Sequence, residues 1–594
     1  MRSTLPTTGT PLGRRLSLAG VLRPRRPSEI WFKPALSAVV AAAPPNLLLL
    51  ALGRLDLAMY TMAGSLCALY AHHRPYAARA RALAWVVLGM LAGLAVALVT
   101  AALTRDAVVL VAVGALLAAA QRAVCDATRV GPPGHVIPTF VSSAALFLPQ
   151  TPAGIPGHLA LTAGAGAWAW LVCMAPGLVR PHGPERRATA QALNAAAAYA
   201  ATGGTGGTGG TGGTGGTGGT GGTGGTGGTG DGHAEARAAG YTAVQAAWHS
   251  LPAGSGSGAR ATTRRSLARF LARAEVALAA PADTDPGALR AAARALRAGG
   301  RLLPAGARDT VEGGPPGAWA DEGAGADEGA GSIAPPAPPR PRLGPLVPLA
   351  ARTALGCALA GYGSLALGIG RPYWALVTAA ALYQANLTLT WSRTVQRVVG
   401  NLAGVLLFAA IAPLVHLGQM PLVLFCLALA FGAEALMSRN YWLGTVCVTP
   451  MALLITEFAG RQESGALIAE RIVDTLVGAL LGLLAAVVVT DRRSGDRVER
   501  ALATADRARE HAARLLAEPA AAPAALDTAR RALATALTDL RAAADASAGE
   551  WRRRAVPEER VVLAERSGHR TLAATVRRRA ARPDRGTRTE DVRS

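Results

Sequence analysis

Long apolar runs separated by short polar stretches occupy two parts of the chain. The first part has six runs, at about 34–52, 56–71, 83–103, 106–121, 136–149 and 157–178. The second also has six, at about 345–367, 373–389, 398–415, 420–437, 441–458 and 472–490. An apolar helix of ~20 residues crosses a bilayer. The pattern therefore predicts an all-α polytopic membrane protein with transmembrane blocks at residues 34–178 and 344–490.

The rest of the chain is more polar and divides into three further segments: residues 1–33, 179–343 and 491–594. The middle segment contains a TGG repeat over 202–230, which lacks proline and is therefore typical of a flexible linker. Helical stretches follow the linker, and the segment closes in a Pro/Gly-rich end that we expect to be disordered. The apolar spacing of the tail favours a small helical bundle.

Arginines are distributed unequally between the turns of the two blocks. If the N-terminus lies inside, the inner loops carry most of them: Arg74, Arg79, Arg81, Arg122, Arg129, Arg180, Arg186, Arg187, Arg393, Arg397, Arg439, Arg492, Arg493 and Arg497. Cytoplasmic loops are the ones that collect positive charge. The N-terminal segment also lacks the apolar region of a signal peptide. We therefore expect both termini and the middle segment to be cytoplasmic.

The two blocks share short sequence matches at corresponding positions. GMLAGLAVAL begins at Gly89 and GNLAGVLLFA at Gly400, each in the third run of its block. In the fifth run, VIP at 136–138 corresponds to VTP at 448–450. These matches predict a duplicated unit, and both copies begin inside. The fold expected is two parallel six-helix transmembrane repeats, each followed by a helical cytoplasmic region.

Composition excludes several function classes. Of 594 residues, 51% are hydrophobic and 16% are charged, whereas a soluble chain has about a quarter charged. The net charge of +23 rests on arginines beside apolar runs, and no basic–aromatic patch suggests nucleic-acid binding. The six cysteines form no CxxC pair, and no GxxxxGK motif ending in Ser or Thr occurs. We expect no metal, no cofactor and no enzymatic activity.

The stretch WSRTVQRVVGNLAG places Arg393, Arg397, Gly400 and Gly404 on one helical face. Glycines let neighbouring helices approach closely, so the two guanidinium groups would point into a bundle or a cavity. There they could bind a carboxylate in bidentate fashion. The alternative is that both arginines are cytoplasmic anchors that fix the topology, and the sequence leaves the two interpretations open.

Acidic residues in the apolar runs are candidates for proton transfer or ion pairing. Glu434 could take up a proton if it is desolvated, or it could pair with Arg439 or face cytoplasmic water. Asp474 lies three residues after Arg471, so a local ion pair is the expected arrangement.

Four further residues are candidates for the substrate pathway: Tyr373, Trp374, Gln384 and Asn386. The aromatic pair fits an outer aromatic belt as well as a contact with an aromatic substrate. The amide pair could line a pathway or form hydrogen bonds between helices.

Residues 371–408 resemble the fusaric acid resistance-like (FUSC) family of aromatic acid exporters. The resemblance lies in a proline–aromatic–Trp start that leads to Arg-x-x-x-Arg-x-x-Gly-x-x-x-Gly. ERIVDTLVGALLGLL, at 470–484, resembles the family's last helix, with Gly478 one turn after a threonine. The first block departs from the pattern, because Ala82 and Val86 align with the two arginines. A single site is therefore expected.

The resemblance implies efflux of aromatic or other weak organic acids, with proton coupling as an option. Plant relatives in the wider group are organic-anion channels, so a dimeric channel is one alternative. A scaffold whose cytoplasmic helices bind partners is another. The location expected is the bacterial plasma membrane. Expected partners are the lipid bilayer, a small organic anion and, for the channel, a second copy of the chain; nucleic acid is not expected.

Overall fold

The computed structural model describes residues 20–24, 31–203, 229–251, 259–279, 281–298, 347–384, 386–458, 463–489, 494–548 and 558–580. Within these ranges the secondary structure is helical and includes no strand, which confirms the predicted all-α class. The linker at 204–228 and the Pro/Gly-rich end of the middle segment lie outside the described residues, as does most of segment 1–33.

The first block contains six main helices: α1 (Phe32–Ala51), α2 (Ala58–Ser65), α3 (Tyr76–Leu103), α4 (Ala107–Thr128), α5 (Val136–Leu146) and α6 (Ile155–Met174). Short helical turns join them, and a four-residue helix, Pro176–Val179, follows α6. The middle segment supplies four: α7 (Gly183–Gly203), α8 (Thr229–Ser250), α9 (Ala259–Ala279) and α10 (Pro286–Arg297). The second block again has six: α11 (Val347–Ala366), α12 (Tyr373–Ala380), α13 (Leu387–Val415), α14 (Gln419–Met437), α15 (Tyr441–Glu457) and α16 (Ser464–Val488). The tail adds three: α17 (Ser494–Ala517), α18 (Pro523–Ala548) and α19 (Glu558–Ala580).

Seven helices of the described chain are long and apolar enough to cross a membrane: Phe32–Ala51, Tyr76–Leu103, Ala107–Thr128, Pro152–Val179, Leu387–Val415, Gln419–Met437 and Ser464–Val488. Some of the predicted runs form shorter helices instead. Every residue of α12 is buried inside the protein, so both of its faces contact protein and none needs to face lipid. Irregular backbone at its end is tolerated for that reason.

The two blocks share several helix–helix contacts. The second helix of each block packs on the sixth, and the third packs on the fifth. Between blocks, α4 packs on α11 while α14 packs on α1, which is a reciprocal arrangement. The third helices also begin in register, because Tyr76 and Leu387 both lie thirteen residues before the aligned glycines Gly89 and Gly400.

The polar segments form a helical body outside the two blocks. In the middle segment α7 packs against α8, α9 and α10, and in the tail α17, α18 and α19 pack on one another. The two groups meet where α8 and α9 contact α18 and α19. The body also reaches the second block, because the Asn386 amide donates to the Asp545 carbonyl at 3.3 Å. The start of α13 therefore lies beside the helical body.

Candidate functional site

Helix α13 carries the arginine–glycine stripe and lies in close contact with α15. A Cβ atom at Gly400 would lie 2.7 Å from the Thr445 Cβ and from the Trp442 carbonyl oxygen. At Gly404 the corresponding distance to the Thr449 Cβ is 2.7 Å. The backbone of α13 therefore approaches α15 more closely than any residue with a side chain would allow. This approach turns the arginines on the same stripe toward α15.

Arg393 and Arg397 both contact the ring of Tyr441, the first residue of α15. Arg397 donates from Nη1 to the tyrosine hydroxyl at 2.8 Å. The guanidinium carbon of Arg393 lies 3.3 Å from the centre of the same ring, which is a cation–π contact. Arg397 is only 5% exposed, and the Nε atoms of both arginines are buried without a hydrogen-bond partner. Neither arginine forms an ion pair with any residue that the structure describes.

A third arginine, Arg471 on α16, is buried deeper in the same half of the protein. Its side chain is 2% exposed, and its guanidinium carbon lies 4.1 Å from the centre of the Trp374 ring. The Nε and Nη1 atoms have no hydrogen-bond partner. Arg397 and Tyr441 lie within electrostatic range of this guanidinium. Positive charge is thus concentrated where α12, α13, α15 and α16 meet.

Asp474 does not form the ion pair with Arg471 that its three-residue spacing favours. Its Oδ1 accepts a hydrogen bond from the Ser364 hydroxyl of α11 at 2.7 Å, and its Oδ2 is buried without a partner. The carboxylate turns toward α11 while the guanidinium turns onto Trp374. The two groups therefore lie one turn apart on α16 and interact electrostatically without a direct ion pair.

A chain of hydrogen bonds joins three helices beside the arginines. The side-chain Nδ2 of Asn401 on α13 donates to the Thr475 hydroxyl of α16 at 3.0 Å, and the Thr449 hydroxyl of α15 donates to the side-chain Oδ1 of Asn401 at 2.7 Å. Each residue lies near the middle of its helix. Sequence reasoning missed this chain and also missed Tyr441. Asn401 lies four residues after Arg397, however, so helical spacing places both on the same face.

The remaining predicted pathway residues form no hydrogen bond or ion pair with the arginines in the described part of the chain. Gln384 donates from its side chain to the neighbouring Tyr383 carbonyl at 3.1 Å. Asn386 caps α13, because its side-chain oxygen accepts from the Leu389 N–H at 2.8 Å. Glu434 forms no hydrogen bond or ion pair with the described residues, and the Tyr70 hydroxyl of the first block is the ionisable group within its electrostatic range. The structure therefore does not bring these three residues to Arg471.

Tyr373 and Trp374 are buried between the two blocks. Trp374 is 1% exposed, and its ring centre lies 5.7 Å from that of Phe140, whereas Tyr373 lies 5.9 Å from Phe147. These contacts place both rings inside the protein and away from an outer aromatic belt. Gly478 holds α16 against them, because a Cβ there would lie 2.5 Å from the Ala375 carbonyl oxygen of α12.

The arrangement is suited to binding an anion. Charge-assisted hydrogen bonds from a planar guanidinium match the two oxygens of a carboxylate. A buried cation is costly unless an anion pairs with it directly. Arg397 and Arg471 have no direct ion pair with the described residues, so a bound anion would relieve their desolvation. The described residues include no group of three His, Cys, Asp or Glu side chains that could hold a metal ion.

Comparisons with known proteins agree with the motif in the second block. Residues 356–485 match the family described as fusaric acid resistance protein-like. An uncharacterized membrane protein of Bacillus subtilis, YvaC, is 35% identical over 138 residues, which cover 23% of this chain and 22% of that relative. The chain thus spans about a fifth of the length of the curated relative it matches. No solved structure matches the chain. The second block of this membrane protein therefore contains a domain similar to the fusaric acid resistance protein-like family, at residues 356–485.

Proposed function

We propose that the protein exports small organic anions, namely aromatic or other weak acids, across the plasma membrane of a bacterium. The observation that carries this proposal is the group of buried guanidinium groups at Arg393, Arg397 and Arg471, which form no ion pair with the described residues. A protein interior keeps unpaired charge where function requires it. The efflux role of the family supports the same conclusion.

The arginines form two successive anion contacts. Arg393 and Arg397 lie near the start of α13, beside the helical body, and Arg471 lies deeper, within electrostatic range of Arg397. An anion that moves from the pair to Arg471 would stay near a guanidinium throughout. Each contact also has an aromatic ring beside it, Tyr441 at the first and Trp374 at the second. A carboxylic acid with a ring fits both kinds of group.

Asp474 is the residue that we propose for proton coupling. Its carboxylate is fully buried, lies close to Arg471 along α16, and has one oxygen without a hydrogen-bond partner. Protonation of Asp474 would change the charge beside the bound anion, so the two events would be linked. Glu434 lies within electrostatic range of Tyr70 and forms no hydrogen bond or ion pair with an arginine among the described residues, which makes it the weaker candidate.

The architecture that we propose for transport is a pair of parallel six-helix repeats with both termini in the cytoplasm. The shared helix–helix contacts and the reciprocal packing of α4 on α11 and α14 on α1 support the repeat. The arginine distribution supports the orientation. Because Ala82 and Val86 occupy the positions of the paired arginines, the second block holds the single site.

Flux measured in liposomes tests the proposal. Purified protein should transport benzoate faster when a pH gradient is imposed, and replacing Arg393 and Arg397 by Gln should abolish transport while insertion survives. Arg54→Gln is the matched control, because Arg54 is exposed and pairs with Asp56 at 3.1 Å.

Two other outcomes would reject the proposal. Transport that is indifferent to the gradient would indicate a channel, and no transport of any organic anion would indicate a scaffold.

A further inference from the structure

Residues 20–24 form a tight turn that lies against α13 and the start of α15, and we call this turn the strap. The Arg23 N–H donates to the Gly20 carbonyl oxygen at 3.2 Å, and Gly20 has a φ of 82°, which a residue with a side chain adopts only with strain. The Leu22 side chain is 38% exposed. The strap is therefore a local structure that buries little apolar surface of its own.

Hydrogen bonds from three side chains hold the strap on the bundle. They run from Gln396 to the Val21 carbonyl at 2.9 Å, from Asn440 to the Val21 and Arg23 carbonyls at 3.1 and 3.0 Å, and from Trp442 to the Leu22 carbonyl at 3.0 Å. Each acceptor is a backbone oxygen, and each donor is a neutral side chain. Contacts of this kind specify a position without depending on the side chains of the strap.

The three donors are sequence neighbours of the residues that form the first anion contact. Gln396 directly precedes Arg397 on α13, whereas Asn440 and Trp442 lie on either side of Tyr441. The strap therefore joins α13 to the start of α15, and its bonds are made one residue along the chain from Arg397 and from Tyr441. It presents carbonyl oxygens there, which are acceptors like the oxygens of a carboxylate.

We propose that the strap is an autoinhibitory element that covers the first anion contact from the side of the helical body. An organic anion reaches Arg393 and Arg397 only after residues 20–24 leave. The inhibition of transport rests on the proposed function, whereas the hydrogen bonds that hold the strap on α13 and α15 do not depend on it. Neutral hydrogen bonds are weaker than the charge-assisted bonds between guanidinium and carboxylate, so a bound anion competes effectively with the strap.

Two sets of variants release the strap from opposite sides. Gln396→Met, Asn440→Ala and Trp442→Phe, combined in one protein, remove the donors and leave the arginines in place. Gly20→Val strains the turn from within the strap, at a position where an added Cβ would meet nothing within 4 Å. Ser438→Ala is the matched control, because this hydroxyl donates locally to the Ala435 carbonyl at 3.1 Å and not to the strap.

The full-length proteins are compared by hydrogen exchange of the peptide that covers 20–24 and by the binding of benzoate. Both release variants should exchange about ten-fold faster in this peptide. They should also bind benzoate about ten-fold more tightly, because binding no longer has to displace the strap from the site. Ser438→Ala should match the wild type in both measurements. Saturating benzoate should also speed exchange of the wild-type strap.

The remaining outcomes separate the strap from the transport function. If the release variants exchange faster but bind benzoate with wild-type affinity, the strap does not cover the site, and the proposed function stands. Unchanged exchange in both variants would show that these contacts do not hold the strap. If no form of the protein binds benzoate, the proposed anion site is wrong, and the inhibitory role of the strap is rejected as well.

Discussion

Arg471 is fully buried, its guanidinium lies over the Trp374 ring, and two of its nitrogens have no hydrogen-bond partner among the described residues. Replacing it by Lys keeps the charge but loses the planar fork and the stacking. We expect Arg471→Lys to reduce benzoate flux by about ten-fold, which corresponds to ~1.4 kcal/mol of binding. The rate of benzoate transport into liposomes is compared between this variant and the wild type, with Arg54→Lys as the control. Full activity of Arg471→Lys would show that charge alone is sufficient.

His569, in the helical body, is a residue whose protonation should affect stability. It stacks on Tyr241 with ring centres 4.0 Å apart, and burial, reinforced by Arg237, lowers the pKa of His569 to about 4. The unfolded histidine has a pKa of about 6.5, so between pH 6.5 and 4 the unfolded state binds the proton and the folded state does not. The contribution of neutral His569 to the free energy of unfolding is therefore complete above pH 6.5. It is lost as the pH falls toward 4, and the free energy of unfolding decreases by up to about 3 kcal/mol.

Thermal unfolding at pH 7 and pH 5 tests this expectation. His569→Phe keeps the stacking and removes the titrating group, so the difference between the two pH values should become smaller. An equally large pH dependence in the variant would assign it to other groups.

At the scale of helices, the contact between α13 and α15 depends on glycine at 400. Alanine favours a helix over glycine by about 0.5–1 kcal/mol, but at Gly400 the new Cβ would overlap Thr445 and the Trp442 carbonyl. We expect Gly400→Ala to destabilise the protein by about 1–3 kcal/mol, as overpacking does.

Gly89 provides the matched control for this substitution. It is the aligned glycine of α3, and nothing lies within 4 Å of a Cβ built there. Gly89→Ala should therefore stabilise the protein slightly, and the two variants should shift the thermal midpoint in opposite directions. A decrease of the same size in the thermal midpoint of both variants would mean that the α13–α15 contact does not cause the destabilisation.

For the whole molecule, one buried ion pair joins the middle segment to the tail. Arg530 of α18 pairs with Glu275 of α9, and the Glu275 carboxylate also accepts from Trp248 at 2.8 Å. Removing one partner leaves the other charge buried. We expect Arg530→Ala to lower the free energy of unfolding by about 3 kcal/mol.

The control for this prediction is Arg560→Ala. The Arg560–Glu499 pair lies within the tail, and both of its side chains are exposed, so its loss should cost less than about 1 kcal/mol. Thermal unfolding of the full chain compares the two variants. Equal losses would show that the link between the segments contributes no more than a surface pair.

The sequence alone determined the elements that depend on local pattern. Apolar runs gave the helical class, because helices satisfy their own backbone hydrogen bonds in an apolar surrounding. The spacing of Arg393, Arg397, Gly400 and Gly404 placed them on one face, because helical periodicity is a property of the chain itself. The same stretch carried the family resemblance that the comparison over residues 356–485 supports.

Tertiary structure alone decided which side chains meet across helices. Arg471 turned onto Trp374 and Asp474 onto Ser364, although local spacing favoured their pairing. Tyr441 joined the arginines from another helix. Such contacts depend on the rotation and offset of one helix against the next, which close packing fixes. Periodicity within a helix carries no information on either quantity, so the centre of the site became visible only in the folded chain.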